Sequence, residues 1–148
     1  MDKLNWAILE ALQENARASY SEIGRKIGLS APAVAERILK MEEGGIIQGY
    51  KTVLNLDKIG RPLKAIIGFR VHQTSQMTSF LRLLKESPEV YECIRVTGKD
   101  CLFIKVAVSN SEQLENLIDR FVKYGETTTS AVLSSPVEGG IFRMPSPS

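Results

Sequence analysis

Between Ser21 and Tyr50 the chain reads SEIGRKIGLSAPAVAERILKMEEGGIIQGY, and no other stretch restricts the fold as strongly. Ser21 is placed to cap one helix, with Glu22 in its first turn to suit the helix dipole. Ile23 and Ile27 share a face. Gly28 stands where a helix closes with a left-handed residue, and Leu29 can plug a core. Ser30 can then cap a second helix, with Pro32 in a first turn where a missing amide hydrogen costs nothing. Val34, Ile38 and Met41 repeat at helical spacing and predict its buried stripe, while Ala31, Ala33, Glu36, Arg37 and Lys40 lie opposite. Gly44-Gly45 breaks the helix. Ile46 to Leu56 is expected to form two short strands around Gln48-Gly49, a wing. Helix, tight turn, helix and wing, in that order, is an arrangement that seats a helix in a DNA groove.

The flanking sequence supplies the rest of a domain and then a second one. Residues 3–15 place Leu4, Ile8, Ala11 and Leu12 on one face of a first helix, widened by Trp6 and Leu9. Asp57 to Pro62 carries Gly60 and Pro62 and reads as a boundary. Beyond it, Leu63–His72 alternates Leu63, Ala65, Ile67, Phe69 and Val71 onto one strand face. A helix capped at Thr74 or Ser75 carries Met77, Phe80, Leu81 and Leu84 and stops at Pro88. Glu89–Val96 and Cys101–Val108 are strands around a turn at 97–100. Asn110 opens a capping box with Gln113, its helix ends at Gly125, and Thr127–Ser135 is a last strand. The expected division is 1–52 for a winged helix-turn-helix, 53–62 for a linker, 63–135 for a second domain and 136–148 for a loop-like tail. The order βαββαβ is the split βαβ, ferredoxin-like arrangement, so the fold class is α+β. Two helices cover one face of such a sheet and leave the other bare, and an identical sheet in a second subunit is the simplest cover.

Composition removes several function classes. No apolar run approaches the roughly 20 residues that span a bilayer, and the acidic, amphipathic start is not a signal peptide, so a cytoplasmic, nucleoid-associated protein with no membrane partner is expected. Cys93 and Cys101 form no CxxC pair, and one histidine without a ligand cluster does not suit a metal. There is no GxGxxG and no GxxxxGK[ST]. His72 stands alone on a strand face, and Cys101 has no histidine beside it, so no catalytic residue, no cofactor and no enzyme is expected. Seven Lys/Arg and seven Asp/Glu balance within residues 1–52. Any case for nucleic acid therefore rests on where the charges sit.

On that basis the expected DNA-binding set is Ser21, Arg25, Lys26, Ser30, Ala31, Pro32, Ala33, Glu36, Arg37, Lys40 and Lys51. Small residues at Ala31 and Ala33 let the first turn of the recognition helix approach base edges. Arg37 and Lys40 are placed to reach guanine or phosphate, and Glu36 to accept from cytosine. The helix start at Ser21, with Arg25, Lys26 and Lys51, offers phosphate contacts. The bland alternative is a plain three-helix bundle with Arg37 solvated or paired to Glu36 or Glu42. At the turn Thr97-Gly98-Lys99-Asp100-Cys101, Asp100 could take an ammonium and the turn amides a carboxylate. An ordinary hairpin turn is the competing reading.

The chain resembles the Lrp/AsnC (feast/famine) family of transcription regulators. The resemblance rests on Ile8-Leu9, Leu29-Ser30, Val34, Arg37, Leu39, Met41-Glu42, Gly45-Ile46 and Gly49-Tyr50. It continues in Pro88-Glu89-Val90, Val96-Thr97-Gly98, Lys105-Val106, Thr127-Thr128-Thr129 and Val132-Leu133. It implies an N-terminal winged helix-turn-helix on double-stranded DNA and a ferredoxin-like domain that makes dimers, often assembled into octamers. It also implies a small effector, commonly an amino acid, at the 97–101 turn and the last strand, hence Thr97, Gly98, Lys99, Asp100, Cys101, Thr128 and Thr129. Two departures stand out. In the first helix Asp2 reads as displaced from the family's acidic motif, with Asn5 in place of its second aspartate. In the Gly-x-x-Asp turn Cys101 holds the usual aspartate position and Asp100 comes one place early. A one-residue shift in a strand changes the face. This motivates a second reading, a ligand-independent architectural protein that wraps or bridges DNA. A third, a small-molecule enzyme or sensor built on the second domain alone, rests only on the polar turn.

Overall fold

A computed structural model describes residues 1–146. Pro147 and Ser148, the end of the expected tail, lie outside the described residues. The chain forms two compact units, Met1–Val53 joined by the tail from Val137 onward, and Leu54–Pro136.

The first unit is three helices around Ile8, Ala11, Leu12, Ile23, Val34, Ile38 and Met41. Helix α1 (Lys3–Glu14) starts at Asp2, whose Oδ1 accepts from the Asn5 amide at 2.7 Å. Helix α2 (Tyr20–Ile27) is capped by Ser19, not by the expected Ser21. The Ser19 hydroxyl accepts from the Glu22 amide at 3.2 Å, and the Glu22 carboxylate accepts from the Ser19 amide at 2.7 Å. Ser19-x-x-Glu22 thus satisfies two otherwise unpaired donors at once. Ser21 has Gly24 three residues on and no such reciprocal partner. Gly28 closes α2 in the left-handed region at φ 76°, and Ser30 caps α3 (Ala31–Glu43), accepting from the Ala33 amide at 3.3 Å.

The two wing strands expected after α3 do not form. The Ile46 and Ile47 amides both donate back to the Met41 carbonyl, at 2.8 and 3.1 Å, which finishes the helix, and residues 48–55 carry no strand. An isolated two-stranded hairpin is marginal in water, and among the described residues of this unit no third strand lies alongside to support one.

The second unit is a four-stranded antiparallel sheet in the order β2-β3-β1-β4, built from β1 (Leu63–Val71), β2 (Val90–Arg95), β3 (Leu102–Val108) and β4 (Gly125–Ala131), with α4 (Met77–Glu86) and α5 (Ser111–Phe121) on one face. Phe80 is the keystone of the core. It stacks on Phe69 at 3.8 Å between ring centroids and meets Phe121 edge-on at 5.3 Å. The strands fall as the alternation predicts: Ala65, Ile67 and Phe69 are fully buried.

Several details differ from expectation, among them the last strand, which ends at Ala131 and not at Ser135. A short 3-10 turn (Thr74–Gln76) precedes α4, and neither Thr74 nor Ser75 caps it, because the Gln76 amide is already satisfied by Gln73 O at 2.9 Å. Gln113 reaches past Asn110, accepting from the Ser109 amide at 2.8 Å. Gly125 starts β4 instead of ending α5: a Cβ there would lie 2.2 Å from Arg70 O and 2.6 Å from the Phe69 ring, so only glycine permits the close approach. The sheet face away from the helices presents Ile94 and Phe103, 42% and 38% exposed, and the Lys105–Glu92 ion pair at 2.7 Å. No helix of the described residues is long and apolar enough to cross a membrane.

Candidate nucleic-acid and effector interfaces

The α2–α3 turn is fixed by one carbonyl. Gly24 O accepts from both the Gly28 and Leu29 amides, at 2.9 and 3.0 Å. A Cβ on Gly24 would stand 2.3 Å from Leu29 O, so the turn is tight only because residue 24 has no side chain. Sequence reasoning passed over Gly24; its signal was a glycine inside a helix, five residues before the core plug. The turn leaves the start of α3 as a small, low surface: Ser30 and Pro32 exposed, Ala31 and Ala33 partly so.

The cations expected to reach DNA are mostly engaged already. Lys40 Nζ pairs with Glu36 Oε1 at 2.6 Å, one helical turn away, and Lys26 Nζ with Glu14 Oε2 at 2.8 Å. The neighbouring ammonium holds each carboxyl below its usual range. Arg37 is paired, though not with Glu36 or Glu42. Its Nη1 donates to Asp2 Oδ2 at 2.7 Å and to Asn5 Oδ1 at 2.8 Å. Asp2 and Asn5, three residues apart at the start of α1, together form one receptor for the guanidinium. That hydrogen bond, with the Asn5 amide, holds the Asp2 carboxyl below its usual range. Arg25 and Lys51 make no ion pair among the described residues, and Ser21 is exposed in the first turn of α2. Tyr50 donates to Glu42 Oε1 at 2.9 Å, and desolvation with that carboxylate pushes its phenol up to about 12.

In the second unit the 97–101 turn closes through the Val96 amide on Cys101 O at 2.9 Å, with Gly98 at φ 124°. The one-residue shift does separate the two side chains. Cys101 packs against the core, its amide and thiol both directed to Phe69 O at 3.0 and 3.3 Å. Asp100 folds back over Gly68 of β1, where a Cβ would meet its Oδ2 at 2.9 Å. Gly68 is paired with Thr128 of β4, so Asp100 and Thr128 both neighbour Gly68 on the bare face of the sheet. Thr129 is paired with buried Ile67 and belongs to the other face. Thr97 and Lys99 are exposed at the tip. Two residues further along β1, Arg70 pairs with Glu126, and its guanidinium holds that carboxyl below its usual range. Gly68 and Arg70 were missed from sequence. The lone glycine in an apolar strand was the available signal.

Residues 1–42 match the family description "AsnC-type helix-turn-helix domain" and residues 64–142 match "Lrp/AsnC ligand binding domain". The chain is 31% identical over 134 residues to the HTH-type transcriptional regulator LrpC of Bacillus subtilis, covering 90% of this chain and 92% of that one. It is 31% identical over 141 residues to the regulatory protein AsnC of Escherichia coli, 93% of each. The structure of B. subtilis LrpC superposes with a TM-score of 0.86 at 30% identity, over 91% of this chain and 96% of that one. A transcriptional regulator from Neisseria meningitidis in complex with L-Met shares the fold, with a TM-score of 0.89 at 23% identity over 98% and 96%. These relatives are regulators and not enzymes. The chain belongs to the Lrp/AsnC family of DNA-binding transcription regulators.

Proposed function

We propose that this regulator binds double-stranded DNA as a homo-oligomer, dimers assembled into an octamer, in the cytoplasm on the nucleoid. In this reading residues 1–52 bind DNA, 53–62 are a linker, 63–135 assemble and sense, and 136–148 are a tail. The observation that supports the DNA contact is the low first turn of α3, with Ser30, Ala31, Pro32 and Ala33 at its tip and the tight Gly24–Leu29 turn behind it. Arg25, Lys51 and Ser21, in the first turn of α2, contact phosphate. Lys26, Lys40 and Glu36 reach the duplex only by giving up their present partners, so one copy binds weakly. Linked copies on one duplex compensate through effective concentration. Arg25→Ala should weaken promoter binding and lower the slope of log K against log salt by about 1, with oligomer size unchanged. An unchanged slope would remove Arg25 from the interface.

The second unit supplies self-association through the bare sheet face. Its effector site is the neighbourhood of Thr97, Gly98, Lys99 and Asp100 with Thr128; Cys101 and Thr129 support it from the core side. A free amino acid fits the chemistry, with its ammonium on Asp100. Calorimetry with the twenty amino acids tests this, and binding that survives Asp100→Asn unchanged would refute the assignment. Cys101, turned toward the core at the family's aspartate position, favours one alternative, a ligand-independent architectural protein. Protection spreading over DNA without preferred sites would support that alternative.

A further inference from the structure

The last described residues do more than trail from β4. The Gln13 carboxamide on α1 pairs with the backbone of Phe142 in both directions: Oε1 accepts from the Phe142 amide at 2.8 Å and Nε2 donates to the Phe142 carbonyl at 2.9 Å. This two-bond pattern is how a strand residue reads its neighbour, and it recognises extended backbone whatever the side chain. Nε2 also donates to Leu9 O at 3.1 Å, which fixes the carboxamide on the helix. One residue on, Arg143 Nε lies 3.8 Å from Glu10 Oε2. Trp6, Leu9, Leu12, Ile47 and Tyr50 line a groove of about 470 Å³ that has Phe142 at its edge. The Phe142 ring stays 79% exposed, so the backbone makes the contact.

We infer that the Gln13 face of α1 is a docking surface for an extended peptide, and that its occupant is this chain's own segment 137–144. The chain leaves the helical unit near Val53 and returns to it at Val137. The DNA-binding unit is therefore held by two chain crossings, and the second begins directly after β4. Undocking the strap leaves the 53–62 linker as the only tether. The strap thus sets how tightly each helix-turn-helix is held in the oligomer, and through that the affinity for DNA. The affinity arm of this inference rests on the proposed oligomeric DNA binding; the docking arm does not.

The docking arm is read by hydrogen exchange on the full chain without DNA. The Phe142 amide is protected in the wild type and unprotected in Gln13→Ala, a substitution on the exposed face of α1 that leaves the helix intact. Equal exchange in the two proteins overturns docking. Mixing Gln13→Ala chains with chains ending at Pro136 separates the strap's own surface from a neighbour's. Docking within one chain leaves the tail unprotected in the mixture, whereas protection there overturns the own-chain assignment. For the affinity arm, Gln13→Ala and the truncation should each weaken promoter binding by about fivefold or more through the lost tether, and combining them should add nothing to the truncation alone. Wild-type affinity in both variants overturns the strap's role. Failure of the wild type itself to bind DNA would instead refute the DNA-binding reading.

Discussion

Gly24→Ala sets two physical effects against each other. On propensity alone the change should stabilise the protein, since alanine at a helical site restricts the unfolded chain and gains about 0.5–1 kcal/mol. Packing says otherwise. The new methyl would lie 2.3 Å from Leu29 O and 3.3 Å from its carbon, where ordinary contact begins near 3.4 Å. The obstacle is backbone, so the turn must retreat by roughly 1 Å, and that movement strains the hydrogen bonds from the Gly28 and Leu29 amides to Gly24 O. Overpacking of this kind costs about 1–3 kcal/mol, and with a backbone obstacle this close the upper half of that range applies, which leaves a net loss of roughly 1–2.5 kcal/mol once the propensity gain is subtracted. Urea unfolding followed by Trp6 emission isolates the effect, because Trp6 is the only tryptophan and sits in the helical unit. The midpoint should fall and promoter binding should weaken, since the methyl sits under the turn that sets the angle of α3. A midpoint that is unchanged or raised would refute the claim that this turn is sterically locked.

Phe80→Ala empties the centre of the second unit between Phe69, Phe121 and Tyr124; it should cost about 3–5 kcal/mol, seen as a lower melting temperature and reduced oligomer by light scattering. Arg37→Ala should return the Asp2 carboxyl toward its ordinary 3.8 in an NMR titration. Asp2 is depressed in the fold, so its stabilisation is present above pH 3.8 and is lost as pH falls through the folded value. The variant should therefore lose less stability on acidification than the wild type does. Gly68→Ala brings a methyl within 2.9 Å of Asp100 Oδ2 and should expel that carboxylate, abolishing amino-acid binding in calorimetry while promoter binding without effector persists.

The legible parts of the sequence were those governed by local rules. Gly28, Ser30 and Pro32 placed the turn and the start of α3, because a left-handed closure, a cap and a proline each act within a few residues. The period-two run from Leu63 to Val71 placed the core of the sheet. What sequence could not supply was set by distant contacts. Asp2, Asn5 and Arg37 are more than thirty positions apart along the chain at their extremes, yet they form one cluster, so the link that Arg37 makes between α1 and α3 has no local signature. The cap moved to Ser19 because a reciprocal bond outweighs a single one. Gly24, Gly68 and Gly125 each showed as a glycine in an element or at its end, but the atom that requires each one, Leu29 O, Asp100 Oδ2 and Arg70 O, does not follow from spacing. The tail, rich in proline and polar residues, carried no pattern that pointed to Gln13.

The most direct test of the account is a hydroxyl-radical footprint of the full-length protein on promoter DNA. If several copies present the first turn of α3 along one face of the duplex, protection will recur at about one helical turn, 10–10.5 base pairs, within a bounded region, and Arg25→Ala will weaken every patch together. Absence of protection, or uniform protection without phase or boundary, would contradict it.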